Sequence, residues 1–334
     1  MINSNNLNFY KDSLDYIIKV QTPDGSISWE KDRKLDPWDH VEAAMGLIIG
    51  GKEAEARSAF LWLKENQEED GSWYAQYNNG TPESQRKESN FSAYIATGLW
   101  HYYLITENKC FLEEMFPTLD LAMNFVISLQ TSFGDIHWAK ENNKILDDSL
   151  ITGCSSIYKS LDCAISIYRI LGHDTKSLVK AKELLKTCLL ENVERFDRSW
   201  KSKKRYSMDW YYPVMCGVVK GKKAKEKIQS RWDEFVIDGM GCKCVVEEPW
   251  VTTAESSELV VALVVIGEVD KAKELFEWLH QWKDPKDNLY WTGYVYTDQK
   301  YWPVEKPTWT AAAVLIAADS LFRFTNGSKL FLND

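Results

Sequence analysis

Two kinds of helical pattern alternate along this chain. Glu53–Asn66, Leu119–Gln130, Ser177–Leu190 and Lys271–Gln281 set apolar residues among charged ones at a period near 3.6, the mark of a helix with one wet face. Between them run stretches such as Tyr94–Trp100, Gly153–Ile165 and Trp309–Ala318. These carry Ala, Gly, Ser and Cys where a surface helix would carry Lys and Glu. Helices of that composition are covered on most sides and pack closely.

Punctuation separates the two kinds. Six segments share a plan in which a helix ends near a polar residue, turns tightly, and reaches an aromatic residue or a second glycine. They are Gln21–Trp29, Gln67–Trp73, Gln130–Trp138, Phe196–Trp200, Ile237–Gly241 and Gln281–Trp291. Asp-Gly and Asp-Asn pairs supply the tolerant backbone such turns need. Soon after each turn comes an acidic, Thr/Ser and aromatic cluster that runs into a small-residue helix. The clusters are Asp36–Ala44, Glu88–Tyr94, Asp147–Gly153, Asp209–Pro213, Pro249–Glu255 and Glu305–Ala313.

Pairing each wet helix with the small-residue helix after it gives six hairpins. The expected fold is therefore all-α: an (α/α)6 toroid, a double ring of inner and outer helices, with residues 1–334 as a single domain. All inner helices then point the same way, and the six clusters meet on one rim. Helix N-termini stabilise carboxylates there. Capping explains an Asp, Ser or Thr before any one helix. Six clusters in register, four of them with Trp, predict a lined cavity.

Composition narrows the partners. A net charge of −9 over 334 residues argues against nucleic acid, which needs a basic face. It argues equally against anionic lipid. No apolar run approaches the length of a membrane span, and the N-terminus lacks a signal core, so a cytoplasmic protein without membrane insertion is expected. The seven cysteines are odd in number and scattered, which fits buried thiols. The chain holds 15 Trp, 16 Tyr and 13 Phe. Trp beside acidic residues in loops points to a ligand cavity and a small-molecule substrate.

The turn Gln67-Glu-Glu-Asp70-Gly71-Ser72-Trp73 resembles the turn repeat of the terpenoid cyclase and protein prenyltransferase superfamily. That resemblance implies an α/α toroid and a prenyltransferase-like protein. The catalytic signatures of its characterised branches do not carry over. There is no Asp-x-Asp-Asp or Asp-Asp-x-x-Asp motif, and the five histidines offer no matching zinc spacing beside Cys242 and Cys244. No metal and no cofactor are expected.

The rim must then be judged on its own residues. Asp39 and Glu255 are the acid/base candidates, with Asp148, Asp209 and Glu305 as further catalytic carboxylates. Asp36, His40, Glu88 and Thr253 are the polar contacts to substrate, and Trp38, Trp210, Tyr211, Trp250 and Trp309 the aromatic lining. Burial raises a carboxyl pKa, so one of these acids can be a proton donor near neutrality. His40 is a second acid or base candidate. The turn favours acid-assisted chemistry on an isoprenoid, its cation held on aromatic faces. The polar rim favours a carbohydrate hydrolase or lyase, in which two carboxylates flank the glycosidic bond and Trp stacks on the sugar. A ligand-binding toroid without catalysis is the third reading.

Overall fold

The structure of the protein, a computed structural model, describes residues 4–332. Its α-helices are α1 (Lys11–Val20), α2 (Pro37–Ile49), α3 (Glu53–Glu65), α4 (Ser89–Thr106), α5 (Lys109–Ser128), α6 (Ile151–Leu171) and α7 (Lys176–Glu191). They continue with α8 (Ser207–Met215), α9 (Gly221–Ser230), the single turn α10 (Trp232–Phe235), α11 (Thr253–Val265), α12 (Val269–Leu279) and α13 (Thr308–Phe322).

The inner ring closes on itself. Helix α2 packs on α4, α4 on α6, α6 on α8, α8 on α11, α11 on α13, and α13 back on α2. Small side chains make this possible: every residue of α2 is buried, as are Ala311, Ala312, Ala313, Ala317 and Ala318 of α13. The outer ring is α1, α3, α5, α7, α9 and α12. Each of these buries one stripe, as α3 does with Ala56, Ala59, Phe60, Trp62 and Leu63. The molecule is an (α/α)6 toroid.

The turn motif is a mechanical staple. Gln67 Nε2 donates to the carbonyls of Gly71 (2.9 Å) and Thr118 (2.9 Å), tying its turn to helix α5. Trp73 Nε1 donates back to Leu63 O (2.8 Å). Gly71 has φ +87°, and a Cβ there would meet the Leu121 carbonyl oxygen at 2.1 Å. Only glycine lets two backbones approach so closely. Gln21 repeats the device on Gly25 and Glu55, and Gln130 on Gly134 and Ala181. The motif therefore encodes how one hairpin locks to the next and carries no chemistry.

Short strands, absent from the all-α expectation, edge the mouth where the inner helices begin. One sheet runs β10 (Lys300–Tyr301), β9 (Gly293–Val295), β8 (Trp250–Thr252), β7 (Gly241–Lys243), β6 (Val236–Ile237). A second runs β3 (Arg86–Glu88), β4 (Ala139–Glu141), β5 (Lys144–Leu146), and a hairpin pairs β1 (Tyr77–Asn78) with β2 (Thr81–Pro82). All ladders are antiparallel. Strand β3 leads directly into α4 and β8 into α11, so the sheets set where these helices start.

The other end of the barrel is closed by the chain's own tail. A 3₁₀ turn, Asn326–Lys329, packs on α4 and α13, and Leu330 and Phe331 are buried behind it. Asp319 fixes the tail by accepting from the Thr325 N–H and hydroxyl, both at 2.7 Å. Among the described residues no helix is long and apolar enough to cross a membrane.

Candidate active site

Helix α2 builds one wall of the mouth. Asp36 caps it, accepting from the Asp39 N–H at 2.9 Å, and Pro37 fits the first helical position. The cap puts Asp39 in the first turn, buried beside the Asp36 carboxylate. Burial first, then the Asp36 charge and hydrogen bond, raise the Asp39 pKa well above the usual carboxylate range. Lys34, 3.6 Å from Asp36, offsets part of this. Asp39 is therefore set up to hold a proton.

Trp38 and Tyr94 stack with ring centroids 4.3 Å apart and form an aromatic face beside these acids. Phe91 meets Trp38 edge-on at 6.3 Å. Glu88, ahead of α4, pairs with Arg86 at 3.0 Å. Burial outweighs that pairing and lifts Glu88 to about 7, with the Asp36 charge contributing. Thus Asp36, Trp38, Asp39 and Glu88 come together.

Helix α11, which like α2 packs on α13, supplies further carboxylates, and Glu255 lies in its first turn, 7% exposed. Its charge acts on Cys244, Tyr211 and Glu258, which places it near the buried acid of its own helix. Burial and Glu255 together push the Cys244 thiol far above its usual range, so it stays protonated. Cys242 is buried and likewise held neutral by burial. Among the described residues no group of His, Cys, Asp or Glu could hold a metal ion.

Two acids one turn deeper, Glu42 and Glu258, were not singled out from sequence. Glu42 Oε1 accepts from Trp38 Nε1 (3.2 Å) and the Tyr94 hydroxyl (2.8 Å). Trp309 turns its indole N–H toward Glu42 beyond direct hydrogen-bond geometry. Burial outweighs these donors and lifts Glu42 to about 7. Glu258 takes the hydroxyls of Tyr211 and Tyr212, and burial and the Glu42 charge raise it further. The available signal was spacing: each lies three residues past a rim acid, in a helix otherwise free of charge.

Other expected site residues are engaged elsewhere. His40 faces the outer ring: its Nδ1 accepts from the Ile27 N–H (3.1 Å) and its Nε2 donates to Ala59 O (2.8 Å). Burial lowers its pKa to about 4, so it remains neutral and has no free nitrogen for proton transfer. Trp210 also turns outward, stacking on Phe235 at 5.2 Å and donating to Lys227 O (2.8 Å). Asp148 is a loop anchor. Burial disfavours its charge, but donors from Ser199, Arg198 and Ser149 outweigh burial and hold it below the usual range.

The remaining candidates divide between rim and wall. Asp209 accepts from the Thr152 hydroxyl (2.7 Å), and burial raises its pKa. Glu305 takes Trp29 Nε1 (2.9 Å) and Arg33 (2.8 Å). Trp250 packs edge-on to Trp302 at 5.1 Å, and Thr253 donates to Trp291 O at 2.7 Å. Trp309 lies against Trp29 with centroids 5.8 Å apart.

No family model matches the chain. It is 43% identical, over 315 residues, to the MMP endo-(1,4)-3-O-methyl-alpha-D-mannosidase of Mycolicibacterium hassiacum, an alignment covering 94% of this chain and 86% of that protein. A solved glycosidase in complex with glucose superposes with a TM-score of 0.75 at 10% identity, covering 97% of this chain and 98% of that one. The GH63 mannosylglycerate hydrolase of Thermus thermophilus gives 0.72 at 11% identity, covering 92% and 99%. At such identities the solved structures speak for the fold alone.

The sequence relative corrects the terpenoid cyclase and prenyltransferase expectation. The turn behind that expectation locks hairpins together, and any toroid that stacks them can use it. With 43% identity across nearly its whole length, the chain belongs to the family of the Mycolicibacterium hassiacum mannosidase and is a carbohydrate-active glycosidase built on an (α/α)6 toroid.

Proposed function

We propose that the chain, acting as one 334-residue unit, is an endo-acting glycosidase that cleaves (1,4) linkages in chains of 3-O-methyl-α-D-mannose. The substrate class comes from the 43%-identical relative. The observation that carries the chemistry is the buried carboxyl pair of rim helices α2 and α11, Asp39 and Glu255, with Asp39 held protonated by burial and by Asp36.

Asp39 is the proton donor. As the bond between the anomeric carbon and the glycosidic oxygen breaks, the Asp39 proton passes to that oxygen, which leaves as a hydroxyl. Glu255 takes a proton from water, whose oxygen bonds to the anomeric carbon. The two roles need opposite protonation states, with the proton on Asp39 and Glu255 free to accept one. Asp36 holds Asp39 in place and keeps its proton on. Trp38, stacked on Tyr94, offers a flat apolar face to a sugar ring.

The test is digestion of 3-O-methylmannose oligosaccharides, with unmethylated (1,4)-mannosides as the comparison. Internal cleavage of the methylated chain is expected, and proton NMR of fresh product reports its anomer. Failure to cleave either chain would overturn the reading.

A further inference from the structure

A cavity of about 190 Å³ lies between the starts of α4 and α6. It shares two walls with the acid site. Glu88 lines it and feels the Asp36 charge, and Phe91 lines it and meets Trp38 edge-on. Trp138, just ahead of β4, adds an aromatic wall. The α6 side is made by Leu150, Gly153, Cys154 and Ile157, whose three- and four-residue spacing sets them on one helix face. One water needs about 10–15 Å³ on the same measure, so the space suits part of a sugar.

Gly153 is the feature that folding does not explain. Glycine is less favourable than alanine in a helix. Every other glycine of the chain either has a positive φ or would bring a Cβ to 3.1 Å or less from a neighbour. At Gly153 a Cβ would meet only Asn90 Cβ and Leu150 Cβ, each at 3.7 Å. Both are ordinary contacts, and both are with residues that line the same cavity. Keeping glycine there keeps the cavity open.

The lining selects an apolar occupant. Its hydroxyl and thiol protons are already engaged: Ser89 donates to Trp138 O (3.1 Å), Thr152 to Asp209 (2.7 Å) and Cys154 to Ile136 O (3.5 Å). Burial keeps the Cys154 thiol neutral. A sugar hydroxyl passing beyond Glu88 would exchange water for an apolar lining, which is unfavourable. A methoxyl group gives up little water, and its methyl suits Leu150, Ile157 and Trp138.

We propose that this cavity receives the O-methyl group of a 3-O-methylmannose unit in the bound chain, and that Gly153 is a specificity-determining residue that leaves room for it. This rests on the glycosidase reading above. The experiment measures kcat/KM for a 3-O-methylmannose oligosaccharide and for its unmethylated (1,4) counterpart, in the wild type, Gly153→Ala and Gly153→Val. The wild type should prefer the methylated chain by about tenfold or more, the usual worth of one carbon in an apolar pocket. The preference should fall to about threefold or less in Gly153→Ala and vanish in Gly153→Val, through a higher KM for the methylated chain. The Tm of Gly153→Ala should equal or exceed that of the wild type, since alanine favours the helix, so the lost preference is not a loss of fold.

A cavity with no part in reading the methyl group would leave the ratio unchanged in both variants, and that result overturns the proposal. If the unmethylated chain is not cut at all, KM for the methylated chain decides, and an unchanged KM in Gly153→Val overturns it. Equal use of the two chains by the wild type overturns it without any variant, and leaves the glycosidase reading standing. If the wild type cleaves neither chain, the glycosidase reading fails and this assignment falls with it.

Discussion

Glu42 and Glu258 reach the barrel axis from either side of α13, and the charge of Glu42 makes Glu258 harder to ionise. An acid whose pKa is higher folded than unfolded binds more protons when folded. It is harmless to stability below its unfolded pKa and costs stability as pH rises toward the folded one. For Glu42 that window runs from 4.5 to about 7. Glu42→Gln should therefore lie close to the wild type near pH 5 and pull ahead of it by pH 8, the gap widening by an amount on the order of 1–3 kcal/mol. Urea denaturation at the two pH values checks this. A variant that gains nothing at pH 8 relative to pH 5 would contradict the assigned shift.

Asp39→Asn and Glu255→Gln should each lower kcat by roughly 10²–10⁴-fold, the usual contribution of a positioned acid or base. Both changes keep size and polarity, so circular dichroism and Tm should stay near wild type. Wild-type turnover by either variant would remove that residue from the proposed chemistry.

A general acid works only while protonated, so kcat/KM should fall on the alkaline side as Asp39 ionises. Its pKa is raised first by burial and then by Asp36. Asp36→Asn preserves the cap but deletes the neighbouring charge, and should move the alkaline limb down by about one pH unit or more. An unmoved limb would mean that another group sets it.

The staples give a test of the fold. Gly71→Ala forces a Cβ against the Leu121 carbonyl at a positive φ and should cost about 2–4 kcal/mol. Gln67→Ala strips the Gly71 and Thr118 carbonyls of a shared donor and should cost about 1–3 kcal/mol. Both losses appear in Tm, and neither should alter the pH profile of the remaining activity.

Those same staples explain what the sequence could and could not say. Gln21, Gln67 and Gln130 each precede a glycine by four residues, so the turns, and with them the toroid, were legible. The family drawn from one turn was not, because Gln67–Trp73 records hairpin packing and nothing of the reaction. Strands such as β6 and β10 have two residues each, too few for any period to show. Asp39 and Glu255 stood out because they lie at helix starts beside Trp and Thr. Glu42 and Glu258 sit inside apolar helices, where pattern reads only core. His40 looked reactive beside Asp39, but the next residue on a helix points about 100° away, here into the outer ring.

The tail that seats Phe331 beneath Glu42 turns the toroid into a blind well. No polymer can be threaded through it end to end. On the endo-acting function proposed above, a long sugar chain would lie across the rim and dip one segment toward the acids, leaving both of its ends outside. Where such a chain is cut then depends on which stretch settles over the opening, not on counting units from a terminus. Both fragments must leave by the way the substrate came in.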